Sequence, residues 1–198
     1  QDGHALFHGF APALRFAVQR CIVLFVDKFS TDAEVIEIGS GGGFPSIPNK
    51  ILRNDLKFTL VEATGKKCEF LNTVVKELGL KGVTVLNSRA EELGKDRKYR
   101  EKYDYAIARA VAGMNVLSEL CLPLVRISGK FVAFKGNAEE ELNAAKSAIK
   151  TLGGKVKKVY SFDLPFDAGK REIIEVEKVF STDIKYPRQY AKIKKSPL

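Results

Sequence analysis

The sequence predicts a Rossmann-like α/β fold: a mostly parallel, seven-stranded sheet with helices on both faces and an antiparallel C-terminal hairpin. Three observations carry this prediction. Strand-like and helix-like segments alternate from Glu34 onward. A glycine cluster, Gly39-Ser40-Gly41-Gly42-Gly43, separates the first strand from the first helix. The last two strand-like runs have no helix between them. Repeated β-α units give parallel strands covered on both faces, and two strands joined by a short loop pair antiparallel.

The elements follow in order. EVIEI (34–38) is apolar at alternate positions, and SIPNKILR after the glycines reads as a short helix. KFTLVEA (57–63) is the second strand. In KKCEFLNTVVKELG, Cys68, Leu71, Val74, Val75 and Leu78 share one helical face, and Gly79 stops the helix. VTVLN (83–87) is the third strand, RAEELG starts a short helix, and YDYAIA (103–108) is the fourth strand. NVLSELCLPLVR is predicted helical through Pro123, GKFVAFKG (129–136) is the fifth strand, and AEEELNAAKSAIKTLGG is a helix with a glycine stop. KVKKVYSFDL and REIIEVEKVF, joined by PFDAGK, form the hairpin. These elements divide the chain into an N-terminal helical segment (1–33), a central domain (34–180) and a basic C-terminal tail (181–198).

Composition narrows the function. A chain of 198 residues suits one α/β core. No run reaches the ~18 apolar residues needed to span a bilayer, and no signal peptide is read at the start, so a cytoplasmic protein without a membrane partner is expected. Cys21, Cys68 and Cys121 lie far apart, which favours buried thiols over disulfides or a metal site. The net charge of +9 favours a polyanionic partner.

The glycine loop is the most informative stretch. Its N–H groups and missing side chains let a ligand approach the backbone above the carboxyl ends of the strands. The dinucleotide fingerprint G-x-G-x-x-G fails, because its third glycine falls on Phe44, and no Gly-Lys-Ser/Thr of a P-loop occurs. What is present is acid-x-Gly-x-Gly-x-Gly from Glu37 through Gly43. That spacing matches the first motif of S-adenosylmethionine (SAM)-dependent methyltransferases. A carboxylate at Glu37 suits the cationic end of that cofactor. Glu62, about 20 residues beyond the loop at the end of the second strand, is placed to accept both ribose hydroxyls.

Several further motifs occur in order: Gly-Gly-Gly-Phe-Pro-Ser-Ile-Pro, Ser-Arg-Ala-Glu-Glu (88–92), Ala-Arg-Ala-Val-Ala (108–112), Leu-Ser-Glu-Leu-Cys-Leu-Pro-Leu-Val (117–125), Tyr-Pro-Arg (186–188) and Lys-Ser-Pro-Leu (195–198). In these the chain resembles the bacterial small-subunit ribosomal RNA guanine-N7 methyltransferases, the glucose-inhibited division protein B family, from about Glu34 to the end. The resemblance implies a class I SAM-dependent methyltransferase that modifies a guanosine in the 530 loop of 16S RNA. It implies cofactor contacts at Gly39, Gly41, Gly43 and Phe44, an adenine site at Ala90 and Glu91, and Arg109 facing cofactor and substrate. Relatives carry a helical N-terminal segment with an Asn-Leu-Thr element. That element is missing here, which implies a shortened or diverged start.

Methylation of guanine N7 uses a free lone pair and removes no proton, so no general base is required. His4 and His8 accordingly lie outside every motif. Catalysis should rest on in-line placement and on the surrounding dipoles. Arg109 is the expected catalytic residue, able to bond a SAM carboxylate, guanine O6 or a phosphate. The tail, with Lys185, Arg188, Lys192, Lys194 and Lys195 interleaved with Tyr186 and Tyr190, is the expected RNA surface, joined by Lys135 at the end of the fifth strand. KDRKYREK (95–102) is expected to be a solvated connector. A monomer acting on the small ribosomal subunit is expected. The alternatives are a methyltransferase of another substrate and a non-catalytic basic RNA-binding protein.

Overall fold

A computed structural model describes residues 27–136, 138–163 and 169–198. His4, His8 and Cys21 lie outside these residues, as does most of segment 1–33. Its last part, 27–33, is turn rather than helix, and inserts Phe29 and Ala33 into the core.

Seven strands form one sheet: β1 (Glu34–Ile38), β2 (Lys57–Glu62), β3 (Val83–Asn87), β4 (Tyr103–Arg109), β5 (Val125–Lys135), β6 (Gly154–Asp163) and β7 (Lys170–Lys178). Their order is β3-β2-β1-β4-β5-β7-β6. The first five are parallel and β7 is antiparallel to both neighbours. The helices are α1 (Ser46–Leu52), α2 (Gly65–Glu77), α3 (Ala90–Leu93), α4 (Met114–Cys121), α5 (Glu139–Thr151) and α6 (Tyr190–Lys195).

The two-residue period of the strands builds two cores. On one face Val35, Leu60, Tyr105 and Ile107 pack with Ile47 of α1 and Leu71 of α2. On the other, Ile36, Ile38, Val61, Ala106 and Ala108 pack with α3, α4, α5 and α6. Because Ile38 pairs with both Val61 and Ala108, the loops after β1, β2 and β4 open on the same edge. Strand order reverses between β1 and β4, the place where open α/β sheets bind ligands.

The structure corrects three expectations. The helix predicted through Pro123 ends at Cys121 and tightens into a 3₁₀ turn, Leu122–Leu124. Proline has no N–H to donate and its ring crowds the preceding turn, so the α-helix cannot continue. Strand β5 then starts at Val125, earlier than predicted, with an irregular register against β4. Segment 95–102 is a solvated connector only in part: Lys95, Asp96, Arg97, Lys98 and Lys102 are exposed, but Arg100 donates to the carbonyls of Gly94, Thr182, Asp183 and Tyr186, and Glu101 accepts from the Thr182 N–H.

The basic C-terminal segment packs against the domain. Tyr186 and Ile193 join the same hydrophobic cluster as β4 and α4. Lys178, fully buried at the end of β7, bonds the Leu122 carbonyl, the Thr182 hydroxyl and the Glu101 carboxylate. Burial pulls its pKa down to about 8. Arg188 is held by Glu119 of α4 through its backbone N–H, Nε and Nη2, at 2.8, 2.8 and 2.6 Å. Glu119 is fully buried, so losing its partner strands a charge. We expect Arg188→Ala to lower unfolding free energy by about 3 kcal/mol in urea titrations, as for other broken buried pairs.

Candidate cofactor and RNA site

The site grows from the bend after β1. Gly39, Gly41 and Gly43 all take positive φ, at +72°, +53° and +84°, so the alternating glycines of the motif are its alternating left-handed residues. Gly39 and Ser40 donate to the Val61 carbonyl, and Gly43 to the Ser40 carbonyl, which pins the bend to β2. Two of these glycines also have no room for a side chain. A Cβ at Gly39 would lie 2.6 Å from Val111 Cγ2, and one at Gly43 would lie 2.6 Å from Ile47 Cγ1. At Gly41 the nearest such atom is 3.9 Å away, so this residue offers the open backbone. Gly43→Ala combines left-handed strain with overpacking and should cost about 2–4 kcal/mol. Its urea midpoint should fall accordingly.

Two carboxylates flank the bend and differ sharply. Glu62 lies at its lip: Oε2 accepts from the Gly41 N–H at 3.1 Å and Oε1 from the Thr64 N–H at 2.9 Å. Burial works to raise its pKa, but the N–H donors and Lys67 outweigh this and hold it below the usual range. Each oxygen has a second lone pair for a hydroxyl donor. Glu37 lies under the bend on the face of Val35. It is 1% exposed, and neither carboxylate oxygen has a hydrogen-bond partner among the described residues. Burial pushes its pKa up to about 7, against smaller opposing effects from Ser46, Arg109 and Ser40.

Arg109 ends β4 one residue beyond Ala108, the partner of Ile38, and so stands level with Gly39. It is exposed, and its charge reaches Glu37. The next residue, Ala110, has φ +54°, a left-handed turn at a non-glycine position. It brings Val111 back against Gly39. Phe44 is half-buried beside the bend and joined to Pro45 by a cis bond.

At the end of β3, the Asn87 side chain donates to the Glu62 carbonyl. Helix α3 follows, with Ala90 buried and the Glu91 side chain 13% exposed. The bend, Glu62, the start of α3 and Arg109 therefore share one edge of the sheet.

Two expected RNA contacts are placed differently. Lys135 lies at this edge, but its ammonium bonds the Ala112 carbonyl at 2.6 Å and Glu141 at 2.7 Å, which fastens β5 to α5. Arg188 is committed to Glu119. Lys192, Lys194 and Lys195 are exposed on α6.

Sequence reasoning missed Ser46, Asn49, Asn87 and Val111. Ser46 and Asn49 are buried on α1, each with a side-chain oxygen lacking a partner among the described residues. Only Asn87 had a usable signal, as a polar strand end matching Glu62 one strand over.

Among the described residues no helix is long and apolar enough to cross a membrane, and no cluster of three metal-ligating side chains occurs. The family profile described as rRNA small subunit methyltransferase G matches residues 18–174. The chain is 46% identical over 178 residues to ribosomal RNA small subunit methyltransferase G of Lactobacillus delbrueckii subsp. bulgaricus, covering 89% of this chain and 74% of that protein. It is 48% identical over 175 residues to the protein of that name from Staphylococcus epidermidis, covering 88% and 73%. In fold it is similar to a SAM-dependent methyltransferase from Aquifex aeolicus, with a TM-score of 0.60 at 16% identity, covering 83% of this chain and 90% of that one. A seven-stranded sheet with this glycine bend, matched by profile across most of its length, has one reading: the chain belongs to the rRNA small subunit methyltransferase G family.

Proposed function

We propose that the chain transfers a methyl group from SAM to N7 of a guanosine in the 16S RNA of the small ribosomal subunit. The observation that carries the cofactor assignment is Glu37. A buried carboxylate whose oxygens find no full hydrogen-bond partner among the described residues is costly, and a cation placed against it removes that cost. SAM carries cationic charge on its sulfonium and its amino group, so the residues present fit it. When bound, it supplies an electrophilic methyl group.

The chain's own residues then hold and orient. Glu37 favours the cationic end. Gly41 gives open backbone, with Gly39 and Gly43 fixing its curvature. Glu62, already clamped by two N–H groups, accepts a vicinal diol through its remaining lone pairs. Ala90 and Glu91 flank the adenine, and Phe44 shields the loop from water. Arg109 stands where the target base enters and orients it through O6 or a phosphate, leaving N7 free to react. Methylating N7 displaces no proton, so positioning and charge complementarity suffice.

RNA is drawn in by Lys192, Lys194 and Lys195. With Lys135 and Arg188 tied into ion pairs, their part is to hold the walls that carry these groups. Labelled SAM incubated with purified small subunits lacking the modification, followed by mass mapping of 16S RNA, tests the proposal. One new methylguanosine is expected. Incorporation into small molecules or protein alone would assign another substrate.

A further inference from the structure

The adenine side of the proposed site is built on little. Helix α3 is four residues long, a single turn, and one turn does not sustain itself. Its start is held by the Glu92 carboxylate, which accepts from the Arg89 N–H and the Ser88 hydroxyl. Its end is held from behind. The Gly94 N–H donates to the Ala90 carbonyl at 2.9 Å. The Gly94 carbonyl in turn accepts from Arg100 Nη1 at 2.7 Å. The same guanidinium donates to the carbonyls of Tyr186 (2.7 Å), Thr182 (2.6 Å) and Asp183 (3.2 Å). Four neutral carbonyls thus converge on one cation, and three of them belong to the C-terminal segment. Pro187 closes the joint: a Cβ on Gly94 would lie 2.7 Å from its Cγ. The segment itself is anchored by Thr182 to Glu101 and by Arg188 to Glu119.

We infer that Arg100 is a positioning residue for cofactor binding, joining the 182–188 segment to Gly94 as a brace that sets where Ala90 and Glu91 stand. This rests on the proposed adenine site. The planar guanidinium suits the task, since its donors fan out in fixed directions toward several acceptors, whereas an ammonium spans fewer. The brace acts on the adenosine end of the ligand and has no contact with Glu37 at the other end. Through it the Tyr-Pro-Arg element, far along the sequence, touches the loop after β3.

The test is calorimetric binding of SAM and of 5′-methylthioadenosine, which lacks the amino-acid end, at a temperature where each variant is folded by circular dichroism. Arg100→Met should weaken both ligands alike, by roughly tenfold or more, the scale seen when supporting contacts behind a ligand-binding group are removed. Arg100→Lys should fall between. Gly94→Ala, which pushes Pro187 away without touching the guanidinium, should weaken both as well and serves if Arg100→Met does not fold. In turnover, the KM for SAM should rise while kcat stays within about twofold, as for lost uniform binding. Glu91→Ala separates the two claims. If it weakens methylthioadenosine and the folded Arg100 and Gly94 variants do not, the brace is wrong and the adenine site stands. If Glu91→Ala has no effect either, the adenine site is misplaced and the inference falls with it.

Discussion

Replacing Glu37 by Gln will stabilise the cofactor-free protein at pH 8 while weakening its hold on SAM. The two effects share one cause. In the folded chain, burial raises the Glu37 pKa from 4.5 to about 7. A carboxyl whose folded pKa lies above its unfolded pKa favours folding in its protonated form. Its contribution is therefore fully present below about pH 4.5 and is lost as pH rises toward and through 7. At pH 8 the ionised, unpartnered carboxylate is a liability of about 3 kcal/mol, from a shift of this size. Glutamine removes the charge and nearly keeps the shape. Unfolding free energy in urea should gain up to that amount at pH 8 and little at pH 4.5. SAM affinity should drop by at least about tenfold, since a cation that offsets a buried charge is worth more than 1.4 kcal/mol. The wild-type affinity should rise between pH 6 and 8 as Glu37 ionises, more steeply than that of the variant, whose profile reports only the ligand's own amino group. A variant that binds SAM as well as wild type would detach Glu37 from the cofactor.

Arg109→Ala should abolish most methyl transfer without unfolding the protein. The side chain is exposed, so its removal leaves no cavity. A surface substitution of this kind shifts stability by about 0.5 kcal/mol or less. Removing a charge that orients the substrate or answers developing charge costs about 100-fold or more in turnover. The largest loss should be in kcat/KM for the ribosomal particle. Arg109→Lys should recover only part, because an ammonium lacks the planar fork. Transfer at the wild-type rate by Arg109→Ala would remove the residue from the mechanism.

The sheet was legible because strand and helix periods differ and alternate cleanly, and because the glycine cluster marks one crossing unmistakably. The acids followed from spacing: Glu37 opens the motif and Glu62 ends the next strand. What stayed hidden was side-chain pairing between different elements. Nothing local distinguishes Arg188, locked to Glu119, from Lys194, which is exposed, although both read as basic tail residues. Lys135 reads as an RNA contact at the end of the fifth strand, but its ammonium is taken by Glu141 of the next helix, 2.7 Å away in space and six residues away in sequence. Arg100 sits in a run of mixed charge that resembles solvent-facing sequence, and three of its four acceptors lie more than 80 residues on, in the C-terminal segment. The state of Glu37 is of the same kind. Ser46, Ser40 and Arg109 lie close enough to favour its charge but too weakly to offset its burial, and only three-dimensional packing decides that.

A crystal grown with SAM measures the central claim most directly. The ligand should curve over Gly41 with its ribose hydroxyls on Glu62, its cationic end toward Glu37 and its methyl group facing Arg109. A ligand seated away from the β1 bend, or lying across it with the ribose at Glu37, would contradict this assignment of the two carboxylates and the mechanism built on it.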